Sequence, residues 1–352
     1  MHHGTHRSPS PTAPPPPAAG GRRRRRGTAP AVAAVALVTL LAGCGAADGD
    51  AGDRAAGPAA AGFPLTVDNC DVTTTYTEPP SRAVTIHQHP AELMLALGLQ
   101  DRMVGTAFPD PPTLPEHREA YAALPRLAEK EPSFETVLEA GPDFVYGGYG
   151  SAFAENEGRS REAFADAGID THLNREYCGA GRVSMADAYA EIRTIGDIFG
   201  VPERAEDLVT DLERRVDRTT EAVAGARQVP VFVYDSGDKA AYTAGGRSMG
   251  TEIIELAGGR NVFADLDEVF GDASWEQVVA RRPEVIVLHD YPGAGSVAEK
   301  REFLLSQPAL ADVPAIRNER FAVLPLTATL VGVRPPHAVA ELARALHPER
   351  FR

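Results

Sequence analysis

Apolar positions in this chain alternate between short runs and helical stripes, and one stretch of the pattern occurs twice. Pro132-Ser-Phe-Glu-Thr-Val-Leu-Glu-Ala-Gly-Pro-Asp-Phe-Val145 returns 141 residues later as Ala273-Ser-Trp-Glu-Gln-Val-Val-Ala-Arg-Arg-Pro-Glu-Val-Ile286. In each copy a serine, Ser133 or Ser274, stands where an N-cap accepts the free amides of a helix start. A glutamate, Glu135 or Glu276, follows in the first turn, where the helix dipole favours an anion. Val137 and Leu138, like Val278 and Val279, face inward, and Pro142 and Pro283 stop the helix before an apolar strand.

An earlier strand and helix accompany each copy. Ala83-Val-Thr-Ile-His87 leads to Pro90-Ala-Glu-Leu-Met-Leu-Ala-Leu-Gly98, and Val229-Pro-Val-Phe-Val-Tyr234 leads to Thr251-Glu-Ile-Ile-Glu-Leu-Ala-Gly258. Strands alternating with helices of this length predict crossover units around a mainly parallel sheet. The expected architecture is α/β, with one lobe at 63–183 and a second at 227–352. Residues 184–200 and 202–226 between them read as helical. In the second stretch Ala205, Leu208, Val209, Leu212, Val216 and Val223 fall near one face. Its 25 residues, at about 1.5 Å each, span roughly 37 Å, a rod able to cross the backs of both lobes with a small opening angle.

Length and composition agree with this picture: 352 residues, 43% hydrophobic and 24% charged, suit two domains or one large one. The net charge is -14, yet residues 1–43 hold six arginines and no acid, so the body is more acidic still. Such a surface repels a phosphate backbone, which argues against nucleic-acid binding. The arginines at 22–26 precede the apolar run Ala31-Val-Ala-Ala-Val-Ala-Leu-Val-Thr-Leu-Leu41 and then Ala42-Gly43-Cys44. A basic start, an apolar stretch of this length and small residues read as a secretory signal, too short for a membrane span. Leu41-Ala42-Gly43-Cys44 resembles the bacterial lipobox, with Cys44 as the lipid-modified first residue of the mature chain. Residues 1–43 are thus leader and signal, and 44–62, rich in Gly, Ala and Asp, a tether. Cys70 and Cys178 remain, and two thiols in an exported protein more often pair than stay free.

Several motifs in fixed order carry a resemblance: Pro90-Ala-Glu-Leu-Met-Leu-Ala-Leu-Gly-Leu99, Pro132-Ser-Phe-Glu135 with Pro142-Asp143, Leu256-Ala-Gly-Gly-Arg-Asn-Val262, and Ser274-Trp-Glu276 with Pro283-Glu284. Over residues 63–348 the chain resembles substrate-binding proteins of bacterial ABC importers, of the class with one long interlobe helix that serves iron-siderophore and cobalamin uptake. The resemblance implies two Rossmann-like lobes with mainly parallel sheets joined by one long α-helix. It also implies a monomeric, non-enzymatic lipoprotein on the extracytoplasmic face of the cell membrane, with an ABC permease and its ATPase as partners. No resident cofactor is implied, since an iron chelate or corrinoid would be cargo. In that family each lobe presents a glutamate to arginines of the permease, and the matching positions are Glu135 and Glu276.

In open parallel sheets ligands meet the carboxyl ends of the strands. That rule puts His87, Gln88, His89, Tyr146 and Tyr149 in the cleft from the first lobe. From the second it puts Tyr234, Asp235, Tyr242, Arg247, His289 and Tyr291, with Thr327 and Thr329 on a late loop. Tyrosines, histidines and an arginine suit a planar or conjugated ligand with anionic or hydroxyl groups, and Arg247 is the expected partner of a ligand anion. Two other readings use the same residues. His87, His89 and His289 could hold zinc or manganese directly. Gly246-Arg-Ser-Met-Gly250 matches a nucleophile elbow, with Ser248, Asp290 and His337 as a hydrolase triad.

Overall fold

The computed structural model describes residues 60–110, 112–179 and 181–352, so the arginine run, the apolar stretch, Cys44 and almost all of the tether lie outside it. The described chain opens with a hairpin of β1 (Leu65–Asn69) and β2 (Val72–Tyr76). Its two-residue turn, Cys70-Asp71, has φ of 49° and 65°, the double positive φ that suits the twist of a tight hairpin. Cys70 is disulfide-bonded to Cys178, 108 residues away. In the chain-entropy model, closing a loop of that length stabilises by roughly 4 to 5 kcal/mol. Asn69 adds a two-way bond, accepting from the Leu173 amide and donating to its carbonyl, both at 2.8 Å.

The first lobe follows with β3 (Ala83–Ile86), β4 (Met103–Ala107), β5 (Arg126–Ala128), β6 (Phe144–Gly147) and β7 (Asp170–Leu173). Helices α1 (Gln88–Ala96), α2 (Arg118–Ala123), α3 (Phe134–Glu139) and α4 (Arg161–Asp166) alternate with them. The sheet is parallel in the order β5-β4-β3-β6-β7. Next come α5 (Met185–Ile198) and α6 (Pro202–Val223), separated by a turn in which Gly200 takes φ 68°. The second lobe contains β8 (Val229–Tyr234), β9 (Ala241–Ala244), β10 (Gly259–Asn261), β11 (Phe270–Ala273), β12 (Val285–Asp290) and β13 (Phe321–Pro325). Its helices are α7 (Met249–Leu256), α8 (Trp275–Arg281), α9 (Val297–Ser306), α10 (Pro314–Arg317) and α11 (Pro335–Leu346). A parallel sheet runs β10-β8-β12-β13, and β9 with β11 form a separate antiparallel ribbon.

Period-two alternation divides each strand between two cores. Phe144 and Tyr146 of β6 join one cluster, whereas Val145 joins another with Val84, Ile86, Val137 and Phe164. Likewise Val231 and Val233 of β8, with Val285 and Val287 of β12, point one way, and Phe232, Ile286 and Leu288 point the other. The inward faces of both sheets meet in a single cluster with Ile192, Ile195 and Ile198 of α5, Val209 and Leu212 of α6, and Val339 and Ala343 of α11. One shared core therefore spans both lobes. Twenty-two residues of α6 cover about 33 Å. Near its start Arg204 donates to the carbonyls of Leu97 and Gly98 in the first lobe. At its far end buried Val223 lies beside Gly258, whose carbonyl pairs with His347 of the second lobe.

The helix starts of the duplicated motif form as the sequence dictates, but Leu138, expected to face inward, is exposed. Ser133 Oγ accepts from the Thr136 amide at 3.2 Å and Ser274 Oγ from the Gln277 amide at 3.3 Å, and the second copy adds a capping box through Gln277. Val137 and Val278 are buried, and Glu135 and Glu276 are exposed. In both glutamates hydrogen bonds to the local backbone, followed by the capping serine, hold the carboxyl below its usual range, so both stay ionised.

Candidate functional site

The strand orders reverse between β3 and β6 in the first sheet and between β8 and β12 in the second, and those crevices beyond the strand ends are where an open α/β sheet receives a ligand. Each crevice is bridged by polar side chains. In the first, the Tyr149 amide donates to His87 Nδ1 at 3.2 Å, which leaves the Nε2 proton to face Glu131 Oε1 at 3.4 Å. In the second, Asp235 accepts from His289 Nδ1 at 3.0 Å and from the Tyr291 hydroxyl at 2.7 Å, with the Ser236 hydroxyl at 3.0 Å.

A cavity of about 210 Å³ lies between these two groups. Tyr149, Glu176 and Tyr177 wall it from the first lobe, and Asp235, Tyr242, Phe270 and Tyr291 from the second. Val269, Leu326 and Leu330 complete it with apolar surface. Its rings are ordered among themselves: Tyr242 stacks on Phe270 at 5.6 Å, and Tyr149 meets Tyr177 edge-on at 6.0 Å. Burial and then the surrounding carboxylates push the Tyr149 phenol up, and burial and then Asp235 do the same for Tyr291. Both are neutral donors in neutral solution. At Asp235 burial raises the carboxyl, but bonds from His289, Tyr291 and Ser236 outweigh it and leave the group below its ordinary range. Glu176 is pushed by burial up to about 7, against the opposing bond from the Val331 amide. The cavity thus offers aromatic faces, phenol donors and carboxylate acceptors.

Three contacts join the segment after β13 to the first lobe. Asn174 Nδ2 donates to the Val331 carbonyl at 3.0 Å, the Val331 amide donates to Glu176 Oε2 at 2.8 Å, and Arg334 forms a two-pronged ion pair with Glu92 at 2.5 and 2.6 Å. Glu92 and Arg334 are both buried. Glu92 Oε1 also accepts from Gln88 Nε2 and the Leu114 amide.

Tyr149, Asp235 and Tyr291, each just past a parallel strand, are brought together as the strand-end rule expects, and Tyr242 joins them from the antiparallel ribbon. His87 and His89 back Tyr149, with ring centres 4.4 and 5.2 Å from it, and His289 stands behind Asp235. Six expectations need correction. Tyr146 is fully buried, because alternation along β6 turns it toward α5, where its hydroxyl donates to Glu191 at 2.6 Å. Tyr234 packs against Trp275 and Phe303 and donates to the Gly237 carbonyl, on the outer side of its sheet. Gln88 is buried, accepting from the Asp110 amide and donating to the Pro112 carbonyl. Arg247 pairs with Asp267 and Glu268 in the acidic loop beside it and does not line the cavity. Thr327 is buried, 2% exposed, and Thr329 donates to the Leu326 carbonyl.

The geometry does not gather the three histidines of the metal reading into one site. α1 begins at Gln88, so His87 and His89 are not strand neighbours; His289 is committed to Asp235 in the other lobe. Among the described residues no group of three His, Cys, Asp or Glu side chains could hold a metal ion. Ser248 is 1% exposed and caps α7, donating to the Gly245 carbonyl and accepting from the Thr251 amide, with no imidazole among its partners. Sequence reasoning missed Glu176, Tyr177, Val269, Phe270, Leu326 and Leu330. The strand-end rule applied to β7 would have found Glu176 and Tyr177. Phe270 arrives on an antiparallel ribbon, to which that rule does not apply.

A family model described as periplasmic binding protein matches residues 84–327. The chain belongs to that family. An uncharacterized ABC transporter substrate-binding lipoprotein of Bacillus subtilis is 26% identical over 325 residues, covering 89% of this chain and 95% of the relative. A vitamin B12-binding protein of Pectobacterium carotovorum is 26% identical, over 67% of this chain and 79% of its own. A crystal structure of an ABC-type Fe3+-hydroxamate transport system from Saccharomonospora viridis superposes with a TM-score of 0.68 at 30% identity, over 82% of this chain and 99% of that one. This periplasmic binding protein is an extracytoplasmic substrate-binding component of an ABC transporter and not an enzyme. A permease and a small-molecule ligand are its partners. Among the described residues no helix is long and apolar enough to cross a membrane.

Proposed function

We propose that the chain is a lipid-anchored monomer that binds a ferric siderophore, a corrinoid or a similar cofactor-sized ligand between its lobes and delivers it to the permease of an ATP-driven importer. Cys44 carries the lipid, 44–62 is the tether, 63–183 and 227–352 are the lobes and 184–226 the helical link. The observation that carries this reading is the aromatic cavity at both switch points, walled by Tyr149 and Tyr177 on one side and Asp235, Tyr242 and Tyr291 on the other. The names of the relatives, one binding vitamin B12 and one belonging to an Fe3+-hydroxamate system, support the ligand class. At about 210 Å³ the cavity is smaller than the roughly 300–1,000 Å³ of sites for drug-sized ligands, so a chelate enters with the lobes further apart.

Glu135 and Glu276 then serve as the docking pair. Each is exposed, ionised and held at a helix start by a capped serine motif, one on each lobe, so the two charges register a rigid body on a two-fold partner. Reversing both to lysine is expected to leave ligand affinity intact and abolish uptake in a reconstituted importer. Unimpaired uptake by the double variant would count against the docking role.

A further inference from the structure

The cleft's charge narrows the ligand. Its polar wall consists of Tyr149, Tyr177, Tyr242 and Tyr291 with two carboxylates, Asp235 and Glu176, and no lysine or arginine lines it among the described residues. The cations nearby are committed elsewhere. Arg334 is clamped on Glu92, Arg175 lies 3.7 Å from Asp187, and Arg247 pairs with Asp267 and Glu268. Lys300 is buried behind Tyr291, with Nζ 4.8 Å from the ring centre and bonded to the His289 carbonyl at 2.6 Å. Asp235 keeps its charge because three donors hold it, and its oxygens face the cavity together with the phenols.

We propose that this cleft selects a ligand without net negative charge, a neutral or cationic chelate presenting amide or ammonium donors to Asp235 and Glu176, and discriminates against polyanionic chelates and carboxylate-bearing porphyrins. This rests on the receptor reading above. An anion placed among these walls would meet the Asp235 carboxylate and a Glu176 carboxyl about half ionised in neutral solution, with no cationic side chain to offset them, and like charges brought together across an interface are unfavourable. A protonated amine would be paired and flanked by aromatic faces, which attract cations through their quadrupoles. Neutral amide donors would find the same acceptors without the desolvation cost of a full charge.

The test is calorimetric titration of the intact protein with four probes: ferrioxamine B, a ferric tris-hydroxamate with a free ammonium group; cyanocobalamin, neutral and amide-rich; ferric enterobactin, a trianionic tris-catecholate; and haemin, with two propionates. The expected result is binding of at least one of the first two about tenfold or more tighter than either anion, a gap equivalent to about 1.4 kcal/mol. Raising sodium chloride from about 50 to about 500 mM should narrow the gap if ferrioxamine B is the binder, because salt screens the attraction and the repulsion alike. Asp235→Asn should narrow it too, and the salt series on the unmodified protein keeps the test independent of that variant's folding. Tighter binding of ferric enterobactin or haemin overturns the charge inference and leaves the receptor reading standing. Binding of none of the four overturns both.

Discussion

The ion pair between Glu92 and Arg334 links the two ends of the described chain, 242 residues apart, and its removal should uncouple them. Arg334 donates to both Glu92 oxygens and to the Pro112 carbonyl, while Glu92 also accepts from Gln88 and Leu114. Glu92 is 0% exposed, so Arg334→Met would leave a carboxylate buried without its counter-charge. Breaking a buried pair from one side costs about 3 to 5 kcal/mol, against about 1 kcal/mol or less for an exposed pair. Glu92→Leu should cost a similar amount, because it strands the guanidinium. The double variant removes both charges and is expected to cost less than the sum, with a coupling of about 2 kcal/mol or more. Urea denaturation of the four proteins, with equal m-values, measures the cycle. Hydrogen exchange at the Val331 amide, which the pair holds beside Glu176, should speed up in the single variants. Costs that add within about 0.5 kcal/mol, or singles that cost no more than a surface pair, would refute the reasoning.

Two further outcomes follow from the histidines behind the cleft. His87 has φ 81° and ψ 157°, a conformation essentially restricted to glycine, so His87→Gly should be more stable than His87→Ala by about 1 to 3 kcal/mol. Both variants lose the ring, and thermal unfolding in which alanine equals or exceeds glycine would remove the claim of strain. His89 is buried with neither ring nitrogen hydrogen-bonded, and burial, then the neighbouring His87, lowers its pKa to about 3. The unfolded chain therefore binds more protons between about pH 3 and pH 6.5, and stability falls as pH falls through that window, by at most about 1.4 kcal/mol per unit. His89→Leu should flatten this slope between about pH 6 and pH 4 relative to the parent, and an unchanged slope in urea titrations would contradict it.

Much of the scaffold was legible locally. The capped serines at 133 and 274, the alternation in β6, β8 and β12 and the apolar stripe of α6 each depend on residues within a few positions of one another. Glu135 and Glu276 could therefore be placed as first-turn anions from the repeat alone, and the structure puts them there, exposed. The strand-end rule recovered Tyr149, Asp235 and Tyr291 as neighbours of one cavity, although it could not say which side of the sheet a side chain takes. Tyr146 and Tyr234 lie at or next to the ends of their strands, and both turned inward or outward with the alternation, away from the cleft.

The chain's own order determined two comparable α/β units, the rod between them and the identity of the groups at each strand end, because hydrogen-bonded helices and pleated strands impose periods of 3.6 and 2 on any residues that form them. Packing in three dimensions decided the rest. It settled that Arg247 would meet Asp267 and Glu268, that Glu176 and Phe270 would complete the cavity, and that Glu92 would find Arg334. Such pairings join residues whose separation along the chain carries no periodic signal, and they are fixed only when the shared core sets the distance and orientation of the two lobes.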